Sequence, residues 1–230
     1  MNYWQEAINL LVGGNSDVWA IIILSLQVSG VALLISAIIG VPLGSLIGLH
    51  TFPGRQLVIA IVYTGMGFPP VVIGLAVFLL LSRSGPLGFL GWLFTPSAMV
   101  LAQVILALPL VIGFTMSAVL AVDPALRTQI RALGASPTQT TLAMLWEARV
   151  GVLVALIAGF GGIISEVGAV MLVGGNIQGS TRVLTTAIVL ETRKGAFDVA
   201  IALALVLLGI TFVINLALLQ LQGTLLKAKQ

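Results

Sequence analysis

Charge is spaced along this chain in a way that leaves few folds open. No charged residue lies between Asp17 and Arg55, where His50 is the one titratable group, or between Arg55 and Arg83, or between Arg83 and Asp123. Arg149 to Arg182 contains only Glu166, and Asp198 to Lys227 contains none. A helix crosses the hydrocarbon core of a bilayer with about 20 apolar residues. Each gap is long enough for such a span, and a soluble helix of that length would need a charged, water-facing side. Composition agrees: 59% of the 230 residues are apolar and 7% are charged, where soluble domains carry about 25% charge. The expectation is an all-α polytopic bundle forming one transmembrane domain over 1–230.

Splitting the apolar stretches at Gly and Pro clusters gives five spans, near 19–49, 55–81, 97–121, 150–173 and 199–222. Ser84–Pro96, with Ser-Gly-Pro-Leu-Gly and Thr-Pro-Ser, is a loop by turn chemistry. Val183–Leu190 is apolar but too short to cross. It is expected to be a half-helix dipping into the outer surface, allowed only where protein or water satisfies its backbone.

Basic residues near span ends set orientation. Arg55, Arg127, Arg131, Arg149, Lys227 and Lys229 fall on one side; Arg83, Arg182, Arg193 and Lys194 fall on the other. The larger group marks the cytoplasmic side, with the N-terminus outside and the C-terminus in the cytoplasm. Met1–Gly14 lacks the basic start of a signal peptide. Its Trp4, Ile8 and Leu11 at helical spacing suit an interfacial segment, and a frayed polar end fits equally.

Several chemistries are excluded. A net charge of +3, thinly scattered, is no nucleic-acid footprint. Without cysteine there is no disulfide or thiolate chemistry, and one histidine makes no metal cluster. No Gly-Lys dipeptide occurs, so the chain carries no phosphate-cradling loop for ATP.

The largest polar insert between spans is 123–149. Asp123-Pro124 is a helix start, with Asp as cap and Pro at the first helical position. Gly134 is a stop and Ser136-Pro137 a second start. Two short helices, Pro124–Leu133 and Pro137–Ala148, should therefore flank a sharp corner. A loop this long in a small membrane protein usually has a job, although a passive connector also fits the spacing.

Arg131-Ala132-Leu133-Gly134-Ala135-Ser136, followed by Gln139, resembles the coupling loop of ATP-binding-cassette importer permeases. In that family a Glu-Ala-Ala triplet precedes the Gly and a Leu-Pro pair follows; here Thr128-Gln129-Ile130 and Trp146-Glu147 stand in those places. Ile164-Ser165-Glu166-Val167-Gly168-Ala169, Val173-Gly174-Gly175-Asn176-Ile177 and Gln178 through Ile188 resemble the fourth span and outer loop of molybdate, sulfate and tungstate permeases. Glu191-Thr192-Arg193-Lys194-Gly195 is similar to the tungstate-type members. The resemblance implies a type I importer fold and a non-catalytic permease that binds no cofactor itself. It further implies a separate cytoplasmic ATPase docked at Arg131–Ser136, an extracytoplasmic oxyanion-binding protein and a homodimer in the inner membrane. Tungstate is the implied cargo, with molybdate or sulfate as alternatives.

Other residues admit two readings. Gly40, Gly44 and Gly48 recur every four residues, one step after Ser36, as a small-residue stripe for close helix packing. Gly65-Met66-Gly67-Phe68-Pro69-Pro70 opposes continuous helix, either as a kink or as the lining of a path. Pro42 and Pro109 read as kinks. Glu166, the one acid within a span, costs on the order of 2.5–3.5 kcal/mol in lipid and must face protein or water. It reads as a hydrogen-bonded anchor for neighbouring backbone, or as a pathway or dimer-contact residue. For an oxyanion the useful groups are neutral donors and freed backbone N–H groups: Asn176, Ser180, Thr181, Thr185 and Thr186, with Gly174 and Gly175. Arg182 would attract an anion at the mouth or anchor the interface. Rival readings are a self-contained secondary carrier, for which coupling acids and inverted repeats are not evident, and an intramembrane enzyme, for which the sequence offers no nucleophile or metal motif.

Overall fold

The computed structural model of the chain describes residues 16–227. Those residues form ten α-helices and a 3-10 turn at Gly88–Leu90, with no strand among them. The interfacial reading of Met1–Gly14 lies outside the described residues, as does Lys229.

Three helices are long and apolar enough to cross a bilayer: α1 (Ser16–Leu49), α4 (Pro96–Leu120) and α10 (Phe197–Lys227). Their lengths follow from uninterrupted apolar sequence, and α4 starts on Pro96 at its first turn, where a missing N–H is harmless. The spans expected at 19–49, 97–121 and 199–222 are these three. Pro42 and Pro109 are both accommodated within their helices.

The other two expected spans are not continuous. Within 55–81, α2 (Arg55–Met66) and α3 (Pro70–Leu81) meet at an angle of 101°, at the Gly65–Pro70 run whose residues oppose continuous helix. Pro69 lacks an N–H, and Gly67 caps α2 by donating to Thr64 O at 3.1 Å. The span expected at 150–173 is α7 (Arg149–Ile164), a break at 165–167, and α8 (Gly168–Gly174). At that break the Ser165 hydroxyl donates back to Gly161 O at 2.7 Å, and the Glu166 carboxylate accepts from Ala169 N at 3.0 Å. Side-chain oxygens that compete for backbone partners end helices. Sixteen residues make α7 roughly 24 Å long, and it extends back through Ala148 into α6 (Pro137–Glu147), bent by 69°. The half-helix expected over Val183–Leu190 is α9 (Leu184–Lys194), too short to cross.

α4 is the centre of the bundle. More than half of its apolar stretch is buried, against less than a fifth of that of α10. It packs on α1, α2, α3, α7 and α8. The glycine stripe of α1 lies against it: a Cβ on Gly40 would stand 2.9 Å from Val111 Cγ1, one on Gly44 2.6 Å from Ile112 O, and one on Gly48 3.3 Å from Met116 O. The packing role read from the spacing is what the fold uses. Close backbone approach is a main source of helix association in lipid, where apolar burial gives no advantage over the bilayer.

Candidate functional site

Two regions bear on function: the polar elbow at one end of the bundle, and the place where the two broken spans meet.

The elbow contains α5 (Pro124–Ala132) and α6. Asp123 caps α5, its carboxylate accepting from Ala125 N at 2.8 Å. The helix ends with Gly134 at φ +85°, Gly134 N donating to Arg131 O at 3.0 Å and Ala135 N to Ile130 O at 3.3 Å. That pair of bonds needs a left-handed residue just past the cap, which glycine adopts without penalty. Ser136 and Gln139 then form a reciprocal capping box, with Ser136 N donating to Gln139 Oε1 at 2.8 Å and Gln139 N to Ser136 Oγ at 3.3 Å. The turn is thus built by its own residues. No residue of α5 is buried, Leu133 is 88% exposed, and Arg131, Ala132, Gly134 and Ser136 are exposed while Ala135 is half-buried. Trp146 is 69% exposed with the Arg149 guanidinium 5.1 Å from its ring centre.

The two breaks are brought together where α3 packs on α8. α3 and α8 pack so closely that a Cβ on Gly74 would lie 2.6 Å from Ala169 Cα, and one on Gly168 2.7 Å from Val71 Cγ2. Pro69 is exposed and Pro70 half-buried at the start of α3, one turn from Val71 and Gly74. Two interrupted spans in mutual contact concentrate the bundle's irregular backbone, which in a membrane must be buried or line a wet cavity.

Beyond α8 the loop over 175–183 folds on itself. Gly175 (φ +73°), Asn176 (φ +53°) and Gly179 (φ +72°) turn the chain in the left-handed region. Ser180, Thr181 and Arg182 all donate backbone N–H to Ile177 O, at 3.2, 2.9 and 3.1 Å. The buried Thr181 hydroxyl donates to Gly174 O and accepts from Ile177 N. Thr185 donates to Glu166 O at 2.9 Å, and Thr186 caps α9 through Val183. The hydroxyls of Thr181, Thr185 and Thr186 therefore hold backbone, and Asn176 Nδ2 reaches Thr186 O at 3.5 Å. Half-buried Arg182 and exposed Ser180 line a cavity of about 380 Å³ with Asp17, Gln178, Glu191 and Lys194. Lys194 Nζ pairs with Glu191 at 2.8 Å there.

Glu166 is half-buried at the break, and the bond from Ala169 N suits the anchoring alternative. A neutral Gln accepts the same bond, so Glu166→Gln should keep the thermal midpoint while Glu166→Ala loses about 0.5–2 kcal/mol, as cap deletions do. Thermal unfolding of the three chains checks this; equal loss with both replacements would show that the charge itself holds the break.

Sequence reasoning missed Gln103. It lies inside α4, is 3% exposed, and donates Nε2–H to Ile163 O at 3.0 Å across the bundle. The available signal was a lone amide in an otherwise apolar span, where polar side chains are expensive.

A profile described as "binding-protein-dependent transport system inner membrane component" matches residues 40–227. A probable anion ABC transporter permease protein of Haloferax volcanii is 47% identical over 196 residues, covering 83% of this chain and 84% of that one. The tungstate uptake system permease protein of Peptoclostridium acidaminophilum is 41% identical over 219 residues, 95% of this chain and 96% of that one. Among solved structures, an inward-facing methionine ABC transporter superposes with a TM-score of 0.73 at 22% identity, covering 94% of this chain and 96% of that one. At that identity the likeness concerns the fold.

Proposed function

Because this chain belongs to the family of binding-protein-dependent transport system inner membrane components, we propose that it is the membrane subunit of an ATP-driven importer carrying a tetrahedral oxyanion, tungstate foremost, by alternating access. The observation that carries the ATP-driven part is the elbow: a capped corner with no buried residue in α5 and Leu133 exposed at its apex. Such a corner fits a groove in a cytoplasmic ATPase, which supplies the hydrolysis this non-catalytic chain does not perform. Arg131, Ala132, Leu133, Gly134, Ala135 and Ser136 form the docking surface. The cargo reading is supported by the relatives named for anion and tungstate uptake.

In this reading the N-terminus lies outside and the C-terminus in the cytoplasm of an inner membrane, with the elbow on the cytoplasmic side. A soluble binding protein delivers the anion to the outer face near Arg182. The three continuous helices and two bent pairs among the described residues are too few to enclose a path for a hydrated dianion, so two copies pair about a two-fold axis, the commonest oligomer symmetry. ATP-driven closure of the ATPase pair moves both elbows inward, and the contact between α3 and α8 transmits that motion to the outer loop. Pro69, Pro70, Gly174, Gly175, Asn176, Thr181, Arg182 and Thr185 then belong to the path or its outer gate. For Thr181 and Thr185 the contribution is to hold the loop's shape; Arg182 draws the anion. A lining of weak donors suits a path, because tight binding would trap the cargo.

Uptake by vesicles reconstituted with permease, its ATPase and its binding protein tests the reading. Tungstate should accumulate only with ATP and all three components, and molybdate should compete less well than unlabelled tungstate. Accumulation by the permease alone would make it a secondary carrier. Equal transport of sulfate would move the cargo to the wider oxyanion class.

A further inference from the structure

Beside the break in the fourth span lies a small cavity, apart from the coupling loop, that shares only Thr185 with the proposed outer gate. Ser25 and Ser29 of α1, Gln103 of α4, Glu166 at the break and Thr185 of α9 contribute its polar walls, and it has room for the centre of one water molecule, about 10 Å³. Gln103 is the group in this wall whose needs are unmet. Its Nε2 donates to Ile163 O, while its Oε1 is buried with no protein donor. Turning the amide over would set oxygen against the Ile163 carbonyl oxygen, so its orientation is determined by the bond it makes. Two of the neighbouring hydroxyls are committed: Ser25 Oγ donates to Ile21 O at 2.7 Å and accepts from Leu184 N at 2.8 Å, and Thr185 Oγ1 donates to Glu166 O. Water is the donor small enough for the space. It also suits the walls, where Gln103 Oε1 needs a donor and Ser29 and Glu166 bring further polar side chains to the lining.

The location gives the site a consequence. Breaking a helix frees carbonyls that lipid cannot satisfy. Here Ile163 O, which accepts from Glu166 N at 3.2 Å, takes a second bond from Gln103 of α4, Glu166 O is met by Thr185 from α9, and Glu166 Oε1 takes Ala169 N at the start of α8. Three side chains on three elements replace the missing turn. We propose that this cavity is a binding site for one ordered water, donating to Gln103 Oε1, and that Gln103 is the positioning residue which, with that water, holds the interruption between α7 and α8. The site holds whatever the cargo is.

The test uses the full chain in lipid nanodiscs. A high-resolution density map of the native permease complex should show one water within about 3 Å of Gln103 Oε1. A protein donor on that oxygen, or a cavity closed by neighbouring side chains, would overturn the site. Hydrogen exchange of the native chain and of Gln103→Met, which keeps the length but neither polar group, gives the second arm. Amides of 163–170 should exchange about tenfold faster in the variant, with those of the α1–α4 contact unchanged. A general loosening would not produce that confinement, so uniform acceleration, or none, would remove Gln103 from the positioning role. If Gln103→Met does not fold, the native map decides alone.

Discussion

Gly134→Asp is expected to give a chain that inserts and folds but no longer holds its ATPase and no longer drives uptake. Gly134 sits at φ +85°, where an L-residue costs roughly 1–2 kcal/mol and Asp is among the better tolerated. No atom outside its immediate chain neighbours lies within 4 Å of where its Cβ would be, so nothing clashes, and α5 buries no residue whose packing could be lost. Nearly all of the effect therefore falls on whatever docks at the corner. A charge introduced at the centre of a desolvated contact typically costs 2 kcal/mol or more, about thirtyfold in affinity. Two measurements together check it: the thermal midpoint of the extracted chain, which should fall by only a few degrees, and retention of the ATPase on purification, which should be lost. Leu133→Asp is the strain-free companion, since Leu133 is 88% exposed, and it should lose the ATPase with no fall in midpoint. Full ATP-driven uptake by either variant would refute the docking role of the elbow.

Gly44→Leu should be the most damaging single change in the membrane-embedded part. Its Cβ would lie 2.6 Å from Ile112 O and 2.9 Å from Thr115 Cβ. A carbonyl inside a helix cannot rotate away as a side-chain end can, so α1 must part from α4 along its glycine stripe. Overpacking a core that can adjust costs about 1–3 kcal/mol, and this contact lacks that freedom. Most of the extracted chain should be aggregated or degraded. Gly30→Leu on the same helix is the control: nothing lies within 4 Å of its Cβ, it faces outward, and its yield and monodispersity should match the native chain. Equal behaviour of the two variants would show that α1 does not meet α4 through this stripe.

Much of the architecture was legible because the physics behind it is local. Lipid tolerates almost no unpaired charge, so the gaps between charged residues pointed to the long apolar helices, expected at 19–49, 97–121 and 199–222, to within a few residues. Turn chemistry is equally local: Asp123-Pro124, Gly134 and Ser136-Pro137 marked the corner of the elbow, and each makes the capping bond its residue type suggests. The Gly40–Gly44–Gly48 stripe showed its packing face for the same reason, since spacing along one helix needs no knowledge of the partner.

The fourth span was misread as continuous over 150–173 because its interruption rests on bonds from far along the chain. Gln103 is 60 residues from Ile163, and Thr185 is 19 from Glu166. Hydropathy averaged along the sequence registers neither. The same limit applies to the threonines of the outer loop, which composition offered as free donors and the fold spends on backbone. By itself the sequence determined that the chain lives in lipid, roughly where it crosses, and where its polar corner turns, because burial cost and capping act between near neighbours. The tertiary structure alone decided that the two broken spans lie against each other and that Gln103 bridges to one of them, because freed backbone groups in lipid take whichever donors packing places beside them.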